Sequence, residues 1–89
     1  MIDALEAQYY LTLDVLDRPG VLASVASVFG EHDVSIRSME QVDLGDEARL
    51  VFITHRARES DVQATLAGLQ EIEAVERIGQ LLRVIGPEQ

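Results

Sequence analysis

Tyr9, Leu11, Leu13 and Val15 are apolar at alternate positions, with Thr12 and Asp14 between them, the period of a strand that covers one face. Asp17-Arg18-Pro19-Gly20 interrupts the alternation, and apolar residues return as Val21, Leu22, Val25, Val28 and Phe29. Those spacings of three and four predict a helix over 20–31. His32-Asp33 ends it. Residues 34–42 read as a second strand, with Val34, Ile36 and Val42 in one phase and Met39 in the other, so a bulge or bend is expected near Ser38-Met39. Asp43-Leu44-Gly45-Asp46-Glu47 has hairpin-turn composition and leads into a β-rich run over 48–55. Ser60-Asp61-Val62-Gln63 matches a capping box, in which a Ser hydroxyl and a Gln amide satisfy open N–H groups at a helix start. The helix it predicts runs to about residue 70, with Val62, Leu66 and Leu69 on one face. Val75, Ile78, Leu81, Leu82, Val84 and Ile85 form a last strand, irregular at Gly79.

The resulting order, β-α-β-β-α-β, is a doubled βαβ unit joined by a hairpin, the ferredoxin-like arrangement of the α+β class. Right-handed crossovers place both helices on the same face of a four-stranded antiparallel sheet. The other face is left uncovered, and in so small a domain its apolar positions call for a second copy or another domain, so a homodimer or higher homo-oligomer is expected. Residues 8–86 form the domain, with 1–7 and 87–89 as flexible ends.

Length and charge narrow the function. Eighty-nine residues hold one domain, and a formal net charge of −9 repels phosphate backbones and anionic headgroups. Nucleic acid and membrane surfaces are therefore excluded as partners. Without cysteine there is no disulfide framework, thiol catalysis or cysteine-based metal site. No apolar stretch is long enough to span a bilayer, and the start lacks the basic and apolar regions of a signal peptide, so a cytoplasmic location is expected.

Chemistry concentrates where the first strand hands over to the first helix. Gly20 allows close backbone approach, Pro19 sets the entry into the first turn, and the N–H groups beyond lack intrahelical partners. The amides of Gly20 to Leu22, aided by the helix dipole, suit a small carboxylate, and Asp17 suits an ammonium group. Together they complement an amino acid zwitterion. The same residues also make a purely structural turn in which Asp17 caps its own helix and Arg18 is solvated. His32 and His55 are the only imidazoles, with no nucleophile arrangement around them, so no catalytic residue is assigned. Asp43, Asp46 and Glu47 lack calcium-loop spacing and no metal is assigned to them.

The run from Leu11 to Ile36, with Asp17-Arg18-Pro19-Gly20-Val21-Leu22 at its centre, resembles the opening half of an ACT domain. The remainder, with Thr54-His55-Arg56-Ala57 and the closing run over 75–86, is similar to the carboxy-terminal ACT domain of bacterial homoserine dehydrogenases. The resemblance implies a regulatory domain whose copies pair side by side through the first helix and second strand, with effector sites at that seam. It implies L-threonine as effector and the catalytic domain of a parent enzyme as partner. Carried over by position, Asp17 contacts the ligand, Arg18 and Pro19 complete the motif, and Gly20, Val21 and Leu22 supply the loop and its amides. Val34, Ser35 and Ile36 sit where the partner chain closes the pocket; Ser35 departs from the Asn of some serine-binding relatives. No Gly-x-Gly-x-x-Gly occurs, so no cofactor is expected in this chain. The other class of function left open is a ligand-free assembly module.

Overall fold

The computed structural model describes residues 6–84. Seven elements follow one another: β1 (Glu6–Leu16), α1 (Val21–Glu31), β2 (Ile36–Asp43), β3 (Glu47–Thr54), β4 (Ala57–Arg58), α2 (Glu59–Gln70) and β5 (Val75–Val84). The four long strands lie in the order β2-β3-β1-β5, every neighbour antiparallel, and the two-residue β4 pairs with the first residues of β1. This is the expected ferredoxin-like arrangement, with β4 added.

Alternation along β1 divides the domain. Tyr9, Leu11, Leu13 and Val15 are buried, as are Ala48, Leu50 and Phe52 on β3, and they pack with Val25 and Phe29 of α1 and Val62 and Leu69 of α2. At the centre Phe29 and Phe52 meet with ring centroids 4.8 Å apart, tilted by 38°, a favourable aromatic geometry. The helices cross closely at Gly68, where a Cβ would lie 2.8 Å from Val28 Cγ1. Two buried threonines are satisfied: Thr54 Oγ1 accepts the Tyr9 N–H at 3.0 Å, and the Thr65 hydroxyl donates to the Asp61 carbonyl at 2.8 Å.

Several boundaries differ from the pattern for identifiable reasons. β1 starts at Glu6, inside the end expected to be flexible, because Glu6 and Ala7 pair with Arg58 and Ala57. The same pairing displaces the capping box. Arg58, extended at φ −75° and ψ 144°, takes the N-cap of α2 without a side-chain cap bond, and Ser60 falls inside the helix. Glu59 and Asp61 in its first turn supply the negative charge that the dipole favours there. In β2 the irregularity lies between Ile36 and Ser38, and the phase change turns Met39 inward and leaves Val42 45% exposed. The Asp43–Glu47 turn is closed by Asp43 Oδ1 accepting the Gly45 N–H at 3.0 Å, with Gly45 at φ 93°. Ile85 and Gly86, assigned to the last strand and the domain, lie outside the described residues.

β5 is irregular at Gly79, as its sequence predicts. Its register against β1 shifts between Leu11 and Leu13, and there the Gln80 N–H donates to Thr12 Oγ1 at 2.9 Å. A Cβ on Gly79 would overlap that hydroxyl. Two residues on, Asp14 faces Arg49 of β3 on one side and Arg77 of β5 on the other. Arg49 donates Nε to Oδ1 at 2.8 Å and Nη2 to Oδ2 at 3.2 Å, and Arg77 donates Nε to Oδ2 at 3.1 Å. Arg77 also reaches Glu47 Oε1 at 3.2 Å. The Arg49 hydrogen bonds, and the positive charge of both arginines, outweigh the burial of Asp14 and hold its carboxyl below the usual carboxylate range.

Two expectations follow. Gly79→Ala should lower stability by about 1–3 kcal/mol through overpacking, read from urea unfolding, with part of the loss recovered in a Thr12→Ala background; an unchanged midpoint would contradict the interlock. A depressed folded-state pKa at Asp14 stabilises the fold above the unfolded carboxyl value near ~3.9 and is lost as pH falls through the folded value. Wild-type stability should therefore fall below about pH 4, and Asp14→Asn should flatten that acid limb while costing about 1–2 kcal/mol at neutral pH.

Candidate functional site

The loop between β1 and α1 is tied down at its start. Leu16 N–H donates to the Ala74 carbonyl at 2.8 Å and Asp17 N–H to the Asp46 carbonyl at 3.1 Å, which fix it against the turn between α2 and β5 and against the β2–β3 hairpin. Arg18 N–H then turns back to Leu16 O at 3.0 Å, and Val21 N–H to Arg18 O at 3.3 Å. Pro at the second position of that turn and a glycine of positive φ at the third are what a type II turn takes. Gly20, at φ 85°, is both that third residue and the N-cap of α1. Ser24 N–H donates to Gly20 O, while the N–H groups of Gly20, Leu22 and Ala23 have no protein acceptor among the described residues. They sit at the positive end of the helix dipole.

Beside this loop lies a crevice of about 190 Å³ lined by Val15, Leu16, Asp17, Arg18, Gly20, Val21, Leu22, Gln41, Ala48 and Leu50. Its floor is the helix-facing side of the sheet, where Val15 pairs with Ala48 and Gln41 with Leu50. Apolar side chains of Val15, Ala48 and Leu50 meet the polar Asp17, Arg18 and Gln41 there. The Asp17 carboxylate is exposed and has no partner among the described residues, so it does not cap α1. Such a volume lies below the ~300–1,000 Å³ of drug-sized ligand pockets, which restricts the site to a molecule of a few heavy atoms.

Asp17, Arg18, Gly20, Val21 and Leu22, expected at the site, are thus brought together around one crevice. The Val21 amide, expected to be available, is committed to Arg18 O. Pro19 stands on the far side of the loop, in a shallow depression with Ser24, Ile72 and Ala74. Val34, Ser35 and Ile36 do not line the crevice. Val34 is 3% exposed in its own core; the Ser35 carbonyl accepts the His55 N–H at 2.9 Å; Ile36 pairs with Thr54 at the end of β2 away from Gln41. His32 is the C-cap of α1, and neither it nor His55 lines the crevice. The residue missed was Gln41. Its signal was a polar side chain in the same phase as Met39, but its place beside the loop depends on the pairing of β2 with β3.

An ACT domain family model matches residues 9–77. The chain belongs to the ACT domain family. Over 77 residues this ACT domain is 42% identical to the homoserine dehydrogenase of Corynebacterium glutamicum, a match covering 86% of the chain and 17% of that protein. With the homoserine dehydrogenase of Pseudomonas aeruginosa it shares 35% over 86 residues, 93% of the chain and 19% of that protein. The chain therefore spans about one fifth of the length of these relatives. The crystal structure of a homoserine dehydrogenase from Thiobacillus denitrificans superposes with a TM-score of 0.76 at 30% identity, over 93% of the chain and 18% of that structure. The ligand-free regulatory subunit of the Thermus thermophilus aspartate kinase superposes with a TM-score of 0.60 at 20% identity, over 96% of the chain and 54% of that structure, a likeness of fold.

The left-handed backbone at Gly20 sets the direction of the open N–H groups. A Cβ there meets nothing within 4 Å, so Gly20→Ala isolates backbone strain and should cost about 1–2 kcal/mol in thermal or urea unfolding. A neutral result would show that the turn does not need positive φ.

Proposed function

We propose that this ACT domain is the regulatory module of a homoserine dehydrogenase, working in the cytoplasm, and that its crevice receives a small free amino acid, L-threonine above others. The observation that carries this reading is the pairing of open amides at the N-terminus of α1 with the unpartnered Asp17 carboxylate beside one small crevice. The amides match the ligand carboxylate and Asp17 its ammonium. Gln41 adds an amide NH2 donor and a carbonyl acceptor beside Val15, Ala48 and Leu50, which favours a side-chain hydroxyl over its apolar isostere.

A second copy closes the site. Among the described residues β2 pairs only with β3, so its outer edge is an unpaired ladder there. Beside it, α1 carries a single charged residue, Glu31, in a chain of net charge −9, and Leu22 is 40% exposed. Antiparallel pairing of β2 with β2 of a second copy joins these uncharged helix faces. It also carries Ser35 and Ile36 of the partner chain toward the Gln41 end of the strand. An effector touching both chains binds the pair better than the separated chains, and that difference, typically about 1–3 kcal/mol, is what reaches a catalytic domain.

Calorimetry with a panel of free amino acids tests this. One amino acid should bind saturably, and Asp17→Ala should weaken it at least tenfold, about 1.4 kcal/mol. Silence across the panel from an intact dimer would replace the sensor with a ligand-free assembly module.

A further inference from the structure

Level with the crevice, β5 carries one residue more than β1 can match. Asp14 pairs with Arg77 and Val15 with Val75, so Glu76 has no opposite number and the register shifts there. A bulge of this kind disrupts the ladder locally, and it falls beside Val15, which lines the crevice. Arg77 spans the gap with its side chain. It donates Nε to Asp14 Oδ2 at 3.1 Å and Nη2 to Glu47 Oε1 at 3.2 Å, and so reaches from β5 across β1 to β3. These two acceptors bracket the crevice floor from behind: Asp14 precedes Val15 and Glu47 precedes Ala48, and Val15 and Ala48 are paired with each other. Successive residues of a strand point to opposite faces, so the bridge lies on the open face at the back of that pair. Flanking it are the two backbone bonds that anchor the β1–α1 loop. Leu16 N–H donates to the carbonyl of Ala74, just before Val75, and Asp17 N–H to that of Asp46, just before Glu47.

We propose that Arg77 is a positioning residue for the β1–α1 loop. By clamping β5 to β1 and β3 across the bulge, it holds the Ala74 and Asp46 carbonyls where they receive the Leu16 and Asp17 amides. It thereby sets the affinity of the crevice, a consequence that rests on the reading of the crevice as an amino acid site. Arg77 lies on the open face and does not line the crevice, so it acts only through the backbone it ties. Ion pairs of a half-exposed arginine contribute little where a regular ladder already fixes the strands. Here the bridge stands where the ladder is interrupted, and that gives it a local effect larger than its effect on the whole fold. The guanidinium serves two carboxylates through different nitrogens, a division that one ammonium does not reproduce. Loss of Arg77 does not strand the buried Asp14, because Arg49 still donates Nε to Oδ1 and Nη2 to Oδ2.

Amide hydrogen exchange and calorimetry on the 89-residue chain test the clamp in Arg77→Ala, Arg77→Lys and Glu47→Ala, with circular dichroism as a check of the fold. In Arg77→Ala the Leu16 and Asp17 amides should exchange at least about tenfold faster, while those of Leu11 and Phe52 in the core stay within about twofold of wild type. The dissociation constant of the amino acid that binds wild type, with L-threonine tried first, should rise about fivefold. Glu47→Ala should act in the same direction, and adding it to Arg77→Ala should change neither reading further, as expected of two ends of one bridge. Arg77→Lys should resemble Arg77→Ala; full recovery by lysine would show that charge alone acts and would overturn the proposal. Leu16 and Asp17 exchange at the wild-type rate would overturn it as well, as would an equal acceleration of Leu16 and Phe52, the mark of general loosening. If wild type binds no amino acid, the sensor reading fails and the exchange comparison decides the clamp by itself.

Discussion

β1 is hydrogen-bonded on both edges, to β3 over Tyr10–Leu16 and to β5 over Gln8–Val15, and its two-residue period decides what each face of the domain can do. Its odd positions feed the core beneath the helices. Its even positions, Tyr10, Thr12 and Asp14, organise the open face. Asp14 reaches both neighbours at once, so a single carboxylate ties three strands together where no helix covers them. The strand then ends in the Asp17–Gly20 turn, and its last residues, Val15 and Leu16, become a wall of the crevice. Core, charged row and site are thus three uses of one alternating segment.

The crevice follows from how the chain leaves β1. Hydrogen bonds from Leu16 and Asp17 to Ala74 and Asp46 anchor the exit, and the left-handed Gly20 turns the chain sharply into α1. A helix that starts so abruptly has no residue placed to cap it, and its first amides stay open. The buried hydroxyls of Thr54 and Thr65 are matched within the domain. The open donors of α1 lie instead at a cleft, where they do not carry the free-energy cost of burial without a partner.

The two sides of the sheet differ. The helix-facing side is covered by α1 and α2 and carries the crevice where Val15, Ala48, Leu50 and Gln41 meet the β1–α1 loop. On the open side the pairing registers alone set the neighbours, and Asp14 there bonds Arg49 and Arg77 across three strands.

Element order, both helices, the irregular β5 and the Asp17–Leu22 turn were legible in the sequence, because each depends on local periodicity or on a residue with a restricted backbone, as at Pro19, Gly20 and Gly79. The capping box at Ser60 misled because the pairing of Ala57 and Arg58 with the first residues of β1, about fifty positions earlier, moved the helix start. The irregularity expected near Ser38-Met39 lies between Ile36 and Ser38, and a one-residue shift there reverses every following side chain, so Met39 and Val42 take opposite faces. Gln41 was not singled out because its place beside the β1–α1 loop depends on the pairing of β2 with β3 and not on local spacing. Residue spacing determined which segments would be helix, strand and turn. Only the tertiary pairing decided which side chains share a crevice, which amides stay open and which rows of the uncovered face lie together, since these depend on register between strands distant in the chain, which local spacing does not carry.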